Sequence, residues 1–313
     1  MNIRKGLVAL AGAIGATAVG NAALTWRAGA LDPPLRGAQR TYRWRGMDVA
    51  YAELGEADAP TVLLLHGMNA AGTSHEFEPI AGQLAEEYHV VAPDFPGFGR
   101  SDRPPVDYDA DLYADFVREF ADDVTPGATC VASSLSGAYA AMAQRETGVF
   151  SKLVLVCPTA TTMGIRRGRL RGLLRTPVLG SALFNLIASK SSIRYFSADH
   201  SFFDPGNVDP DRVDYQWRAA HQPGARFAPA SFVSGYLDPA IDLGATLAGC
   251  EIPITLVWGR EADITPLSYG RDLAEAADAR LVVFDDARLL PHVEHVERFL
   301  DELEAELAAS STT

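Results

Sequence analysis

Short apolar runs alternate with amphipathic stretches from Tyr42 onward, and that alternation restricts the fold more than any other feature of the chain. TVLLLHG (61–67), HVVAPD (89–94), ATCVAS (128–133), KLVLVCP (152–158), PITLVWG (253–259) and RLVVFD (280–285) are nearly continuous in apolar character, as expected of strands buried on both faces. Helical periodicity fills the intervals at 79–88, 110–124 and 136–147, and a last amphipathic helix is expected at 294–308. TYRWRGMDVAYAEL (41–54) predicts a hairpin with Gly46 in its turn. Strands and helices in this order predict an α/β fold with a mainly parallel sheet covered on both faces. Residues 160–239 interrupt the pattern with a basic-apolar stretch, turns rich in Pro and Asp, and a helical run around Val213–His221. An insertion of that kind between two strands reads as a lid or cap.

Composition removes several alternatives. The chain has 313 residues, 48 % apolar and 21 % charged, which is ordinary for a globular protein and unlike a disordered one. Its 27 basic and 40 acidic residues leave a net charge of −13, a poor match for the dense negative charge of nucleic acid. Three cysteines form no paired framework, and Cys130 and Cys157 lie in strand-like runs, so neither a disulfide scaffold nor a Cys-rich metal site is expected. The basic residues are almost all Arg, with Lys only at Lys5, Lys152 and Lys190. That bias fits a high-salt or GC-rich organism and says nothing about chemistry.

Residues 6–24 carry no charge and follow Arg4 and Lys5. Three readings stand side by side within a hydrophobic N-terminal segment of residues 1–30: a weak membrane anchor, a cleaved signal, and a helix without a membrane role. If the segment spans a bilayer, the arginines that follow it place the catalytic domain in the cytoplasm. If it has no membrane or export role, the whole chain is expected in the cytoplasm.

The segment that bears on chemistry is VASSLSGAYAAMAQ (131–144), a strand running directly into a helix. A serine at such a bend, among small neighbours, holds its hydroxyl clear of the backbone above the sheet. Ser134 fits that position, with Ala132 two before, Ser136 two after and Gly137 next; it also fits a plain helix N-cap. Three more segments sit at predicted strand ends: HGMNAAG from His66, DFPGFGRSDRP from Asp94 and WGREADITP from Trp258.

Taken together and in this order, the four segments resemble the α/β-hydrolase fold superfamily over residues 41–309, outside the cap. The resemblance implies a sheet of about eight strands, with core segments 37–159 and 240–309 and a helical cap at 160–239. It also implies Ser134 as nucleophile, Asp263 as the acid that orients a histidine, and the backbone amides of Met68 and Leu135 as the oxyanion hole. No cofactor or metal is implied. Serine at the bend separates the chain from the dehalogenases and epoxide hydrolases of this fold, which use aspartate there. Asp94, Gly97, Gly99 and Ser101 read as a structural turn, and His66 as a residue that shapes the oxyanion loop.

The histidine departs from the pattern. In VVFDDARLLPHVEHVERF (282–299), an ungapped alignment puts Leu289 where the superfamily keeps its histidine. Either His292 takes over, beside the fixed φ of Pro291, or the base is missing and the fold binds a ligand or performs chemistry that needs no Ser–His relay. His295 reads as a helix-face residue. Arg166, Arg167, Arg169, Arg171 and Arg175 form either a solvated helix face or an interfacial helix on anionic lipid. The expected function is a serine hydrolase acting on an ester or related acyl bond of an apolar small molecule or lipid. An inactive binding protein and an acyltransferase using the same site are the alternatives.

Overall fold

A computed structural model describes residues 3–310, with side chains over residues 12–308. Eight strands form one sheet: β1 (Ala38–Trp44), β2 (Met47–Leu54), β3 (Thr61–Leu65), β4 (His89–Pro93), β5 (Thr129–Ser133), β6 (Lys152–Val156), β7 (Ile254–Gly259) and β8 (Arg280–Phe284). Their order is β1-β2-β4-β3-β5-β6-β7-β8, with β2 antiparallel to both its neighbours and every other pairing parallel. The fold is the α/β-hydrolase fold expected above. The β1–β2 hairpin turns at Arg45 and Gly46, both with positive φ (46° and 83°), the backbone that matches the twist of paired strands.

The central strands are buried on both faces, which is why their sequences show no alternation. Side chains on the two faces feed separate apolar clusters. One packs Leu63, Leu65, Cys130 and Leu155 against Phe116, Phe120 and Tyr139; the other packs Val62, Val131 and Val257 against Phe77, Phe299 and Leu303. The helix Ala110–Val124 shows how sequence sets this packing. Asp109 caps it by accepting from the Leu112 amide at 2.9 Å, and Tyr113, Phe116, Val117 and Phe120 recur on its buried face.

Between β6 and β7 the helices Gly168–Arg175, Leu179–Ile187, Lys190–Phe196, Pro210–Ala220 and Phe227–Val233 lie in the inserted stretch. Its two ends meet at Asp238. Asp238 accepts from Thr162 N (3.0 Å), Thr162 Oγ1 (2.6 Å), Met163 N (2.9 Å) and Gly164 N (3.0 Å). Arg171 and Arg175 also have partners inside the protein: Arg171 donates to Ser231 and Asp107, and Arg175 to the carbonyls of Val106 and Pro105.

The N-terminal segment forms a helix, Ile3–Ala28. Among the described residues no helix is long and apolar enough to cross a membrane, so the span expected at 6–24 is not supported. Ala and Gly supply most of that stretch and contribute little transfer energy. The side chains of residues 6–11 lie outside those described. Further along, the helix packs on the inserted stretch: Asn21 Nδ2 donates to the Val178 carbonyl at 2.8 Å, and Leu24 and Ala28 join a cluster with Phe184, Val213 and Trp217.

Candidate active site

Ser134 stands between the last residue of β5 and the helix Leu135–Thr147, with φ 55° and ψ −126°. A non-glycine residue holds such a conformation only when its surroundings over-determine it, at about 1–3 kcal/mol of strain. The surroundings are explicit. The Ser134 amide donates to the Val156 carbonyl at 2.8 Å, and its carbonyl accepts from Gly137 N at 3.0 Å and Thr159 N at 3.4 Å. Gly137 has to be glycine because a Cβ there would come within 2.9 Å of Pro158 Cβ. Leu135 opens the helix, so its N–H has no acceptor within the helix and is available to a ligand.

The facing loop follows β3. The Phe95 amide donates to His66 Nε2 at 3.2 Å, which fixes the ring proton on Nδ1, 3.0 Å from the Gly67 carbonyl. Burial holds the His66 pKa below its ordinary value, so the ring is neutral. Ser136 Oγ donates to the His66 carbonyl at 2.5 Å and ties this loop to the first turn of the helix after Ser134. The Gly67 amide donates to Glu76 Oε2 at 2.8 Å. A Cβ on Gly67 would lie 3.3 Å from both Glu76 Oε2 and Ser133 Oγ and 3.6 Å from Ser134 Cβ. The loop carrying Met68, the bend at Ser134 and Leu135 are therefore brought together.

Asp94 has the structural part expected of it. One carboxylate oxygen accepts from Ser74 N and Oγ, the other from Arg100 N. Gly99, at φ 50°, allows the loop to fold so tightly that any Cβ would strike this carboxylate at 2.1 Å.

The structure does not bring Asp263 and His292 together. His292 is fully buried, with Nε2 3.2 Å from Glu76 Oε1 and its ring between Phe77 and Phe299. Its path is set by the short helix Pro291–Glu294, which turns the ring into the interior. The expectation that His292 reaches Asp263 is thus corrected. Leu289 is half-buried against the main core. Asp263, in the loop after β7, has a different imidazole: His200 Nδ1 lies 2.8 Å from Asp263 Oδ2. His295 Nε2 lies 3.0 Å from the Asp286 carbonyl.

Both carboxylates respond to their partners. Burial would raise the Glu76 pKa, but contacts with His292, Ser133 and the Gly67 amide outweigh it and hold the group below its ordinary value. At Asp263 the smaller burial is likewise outweighed by His200 and by the Ile264 amide, and its pKa too is lowered. Three residues escape sequence reasoning here: Glu76, Ser133 and His200. His200 lies 63 positions before Asp263 in a stretch without strand or motif signals, and nothing in the chain links the two.

The model of the alpha/beta hydrolase family matches residues 62–302, and the chain belongs to that family. It is 25 % identical over 247 residues to a 2-hydroxymuconate semialdehyde hydrolase of Pseudomonas sp. (strain CF600), covering 76 % of this chain and 83 % of that one. A shorter match, 44 % identical over 59 residues, links it to an uncharacterized hydrolase of Saccharomyces cerevisiae; it covers 19 % of this chain and 20 % of that protein's length. Among solved structures, a membrane phospholipase A described as a bacterial virulence factor superposes with a TM-score of 0.70 at 21 % identity, covering 99 % of each chain.

Proposed function

We propose that this hydrolase-family member is a serine hydrolase cleaving an ester, or a related acyl or carbon–carbon bond, of an apolar small molecule or lipid. Ser134 attacks, Asp263 orients a histidine, and the Met68 and Leu135 amides receive the oxyanion. The observation that carries this reading is the left-handed backbone at Ser134, maintained by bonds to Val156, Gly137 and Thr159. Ligand binding alone has no use for a strained serine facing an amide-bearing loop. Phe196, Phe203 and Ile264 are exposed near His200 and Asp263, which supports an apolar substrate. The names of one relative and one structural neighbour, a 2-hydroxymuconate semialdehyde hydrolase and a phospholipase A, keep small polar and lipid substrates in the same set. Transfer of the acyl group to an acceptor other than water uses the same intermediate.

A panel of p-nitrophenyl esters of increasing chain length, run beside Ser134→Ala, tests the reading. Turnover that disappears in the variant is the expected result; equal turnover in both sinks it. A ligand-binding protein without turnover is the second reading, favoured by Leu289 at the expected histidine position. Silence across the panel, with an ester analogue still bound, would select it.

Contact with an anionic lipid surface is also part of the proposal. Arg166, Arg167 and Arg169 are exposed alongside Leu173, Leu179 and Leu186, which supports an interfacial cap. Flotation with anionic liposomes, with and without residues 1–30, is the check, and binding by neither form rejects it.

A further inference from the structure

The geometry points to His200, delivered by the inserted stretch, as the catalytic base that completes the site with Asp263 and Ser134. This rests on the serine-hydrolase reading.

Elimination among the imidazoles is the first support. The chain has seven histidines. His66 has both ring nitrogens committed to the loop after β3. His75 is stacked on Tyr215, His221 has Nδ1 on the Trp217 carbonyl, and His292 is enclosed beside Glu76. His89 opens β4, at the end of the parallel strands away from the bend, and His295 meets the Asp286 carbonyl. Only His200 meets the carboxylate that the fold places after β7, and it does so through Nδ1. That is the orientation a base needs, because the carboxylate fixes the proton on Nδ1 and leaves the Nε2 lone pair for the hydroxyl.

The second support is where the His200 segment lies. The Phe203 amide donates to Glu294 Oε1 at 2.6 Å, and Phe202 packs in a cluster with Leu290 and Val293. The inserted stretch therefore sits on the 288–294 loop, the one that lacks a histidine at Leu289. His200 rides on a single wide turn, Ser197–Ser201, closed by Phe202 N donating to the Ser197 carbonyl at 3.0 Å. Wide turns of this kind re-aim side chains and concentrate at functional sites.

The step balances without a co-reactant. Ser134 Oγ forms a bond to the substrate carbonyl carbon, the carbonyl π pair moves to oxygen, and the hydroxyl proton passes to His200 Nε2. Collapse breaks the bond to the leaving group, which takes that proton. Water then repeats the sequence and releases the acid. In the structure Nε2 is 3.4 Å from Asp199 Oδ2, a position suited to the imidazolium formed midway. The proposal requires Nε2 to turn from Asp199 towards Ser134.

Labelling of Ser134 by a fluorophosphonate, followed in the full chain, is the test. His200→Ala should slow labelling by about 10²–10⁴-fold, and added imidazole should restore part of the rate, which a merely structural residue would not allow. His200→Ala labelled at the wild-type rate overturns the inference and leaves the hydrolase reading intact. Slow labelling without imidazole rescue, together with faster proteolysis of residues 160–239, overturns it in favour of a packing role. A wild-type chain that is never labelled ends both.

Discussion

Two imidazole–carboxylate pairs sit near the same sheet end and differ chiefly in their contact with water. Glu76–His292 is enclosed: the histidine side chain is 0 % exposed and the glutamate 10 %. Asp263–His200 is at the rim, with side chains 48 % and 28 % exposed. An enclosed charge depends on its partner, and removing one member leaves an uncompensated group in a low-dielectric interior. A rim pair contributes little to folding but keeps a ring nitrogen accessible to substrate. Burial suits the first pair to holding the Gly67–Met68 loop in place, and the proposal above gives the second pair the chemistry. The predictions below separate these two assignments.

The largest expected difference is in turnover. His200→Ala should lower kcat/KM on the best p-nitrophenyl ester by about 10³-fold, roughly 4 kcal/mol of barrier. The same substitution should leave the unfolding midpoint almost unchanged. A His200 variant that keeps its activity while His292→Ala loses all of it, in folded protein, would reverse the assignment.

Next comes stability. His292→Ala should cost about 3–5 kcal/mol in chemical denaturation, because Glu76 is left charged and buried and a ring-sized void opens between Phe77 and Phe299. Adding Glu76→Gln should recover part of that loss by removing the charge. A loss below about 1 kcal/mol would mean that water already reaches the pair.

The pattern explains which parts were legible in the sequence. The sheet, its order of helices and the bend at Ser134 follow from local signals: continuous apolar runs, helical periods, and small residues where two backbones approach. Asp94 and Gly99 were readable for the same reason, since both belong to one tight loop. The partner of Asp263 was not. It comes from a long insertion whose packing depends on contacts such as Phe203 with Glu294, and no periodicity encodes those. The surroundings of His292 were not legible either, because distance along the chain and a neighbouring proline describe where the backbone goes, whereas the ring's direction follows from which side of Pro291–Glu294 faces the core.

Acid offers a third, intermediate effect. A group whose folded pKa is depressed contributes stability that is complete above its ordinary value and lost as pH falls towards the folded one. Burial, helped by Arg212 and opposed by Asp209 and Asp94, lowers the His75 pKa from 6.5 to about 4. That interval corresponds to about 3 kcal/mol, lost between pH 6.5 and about 4. His66, also depressed, contributes below 6.5, and Glu76 adds its own loss below 4.5. Denaturation midpoints measured across this range should fall first through the histidines and then further through Glu76. In His292→Ala the step below 4.5 should shrink, because the partner that depresses Glu76 is gone; in His200→Ala it should stay.

The smallest effect is the most discriminating for the rim. Asp263 is half-exposed, so the hydrogen bond from His200 lowers its pKa in a setting where water and salt screen charge. His200→Ala should therefore change the unfolding free energy by no more than about 1 kcal/mol at low ionic strength. Raising the salt from 0.1 M to 1 M shortens the screening length from about 10 Å to about 3 Å, and that difference should fade further. The same salt should leave the His292→Ala loss intact, since ions do not enter the interior between Phe77 and Phe299. If the rim variant instead lost several kcal/mol that salt did not touch, Asp263–His200 would be a clamp fastening the inserted stretch to the core. Its value to the protein would then lie in folding rather than in moving a proton.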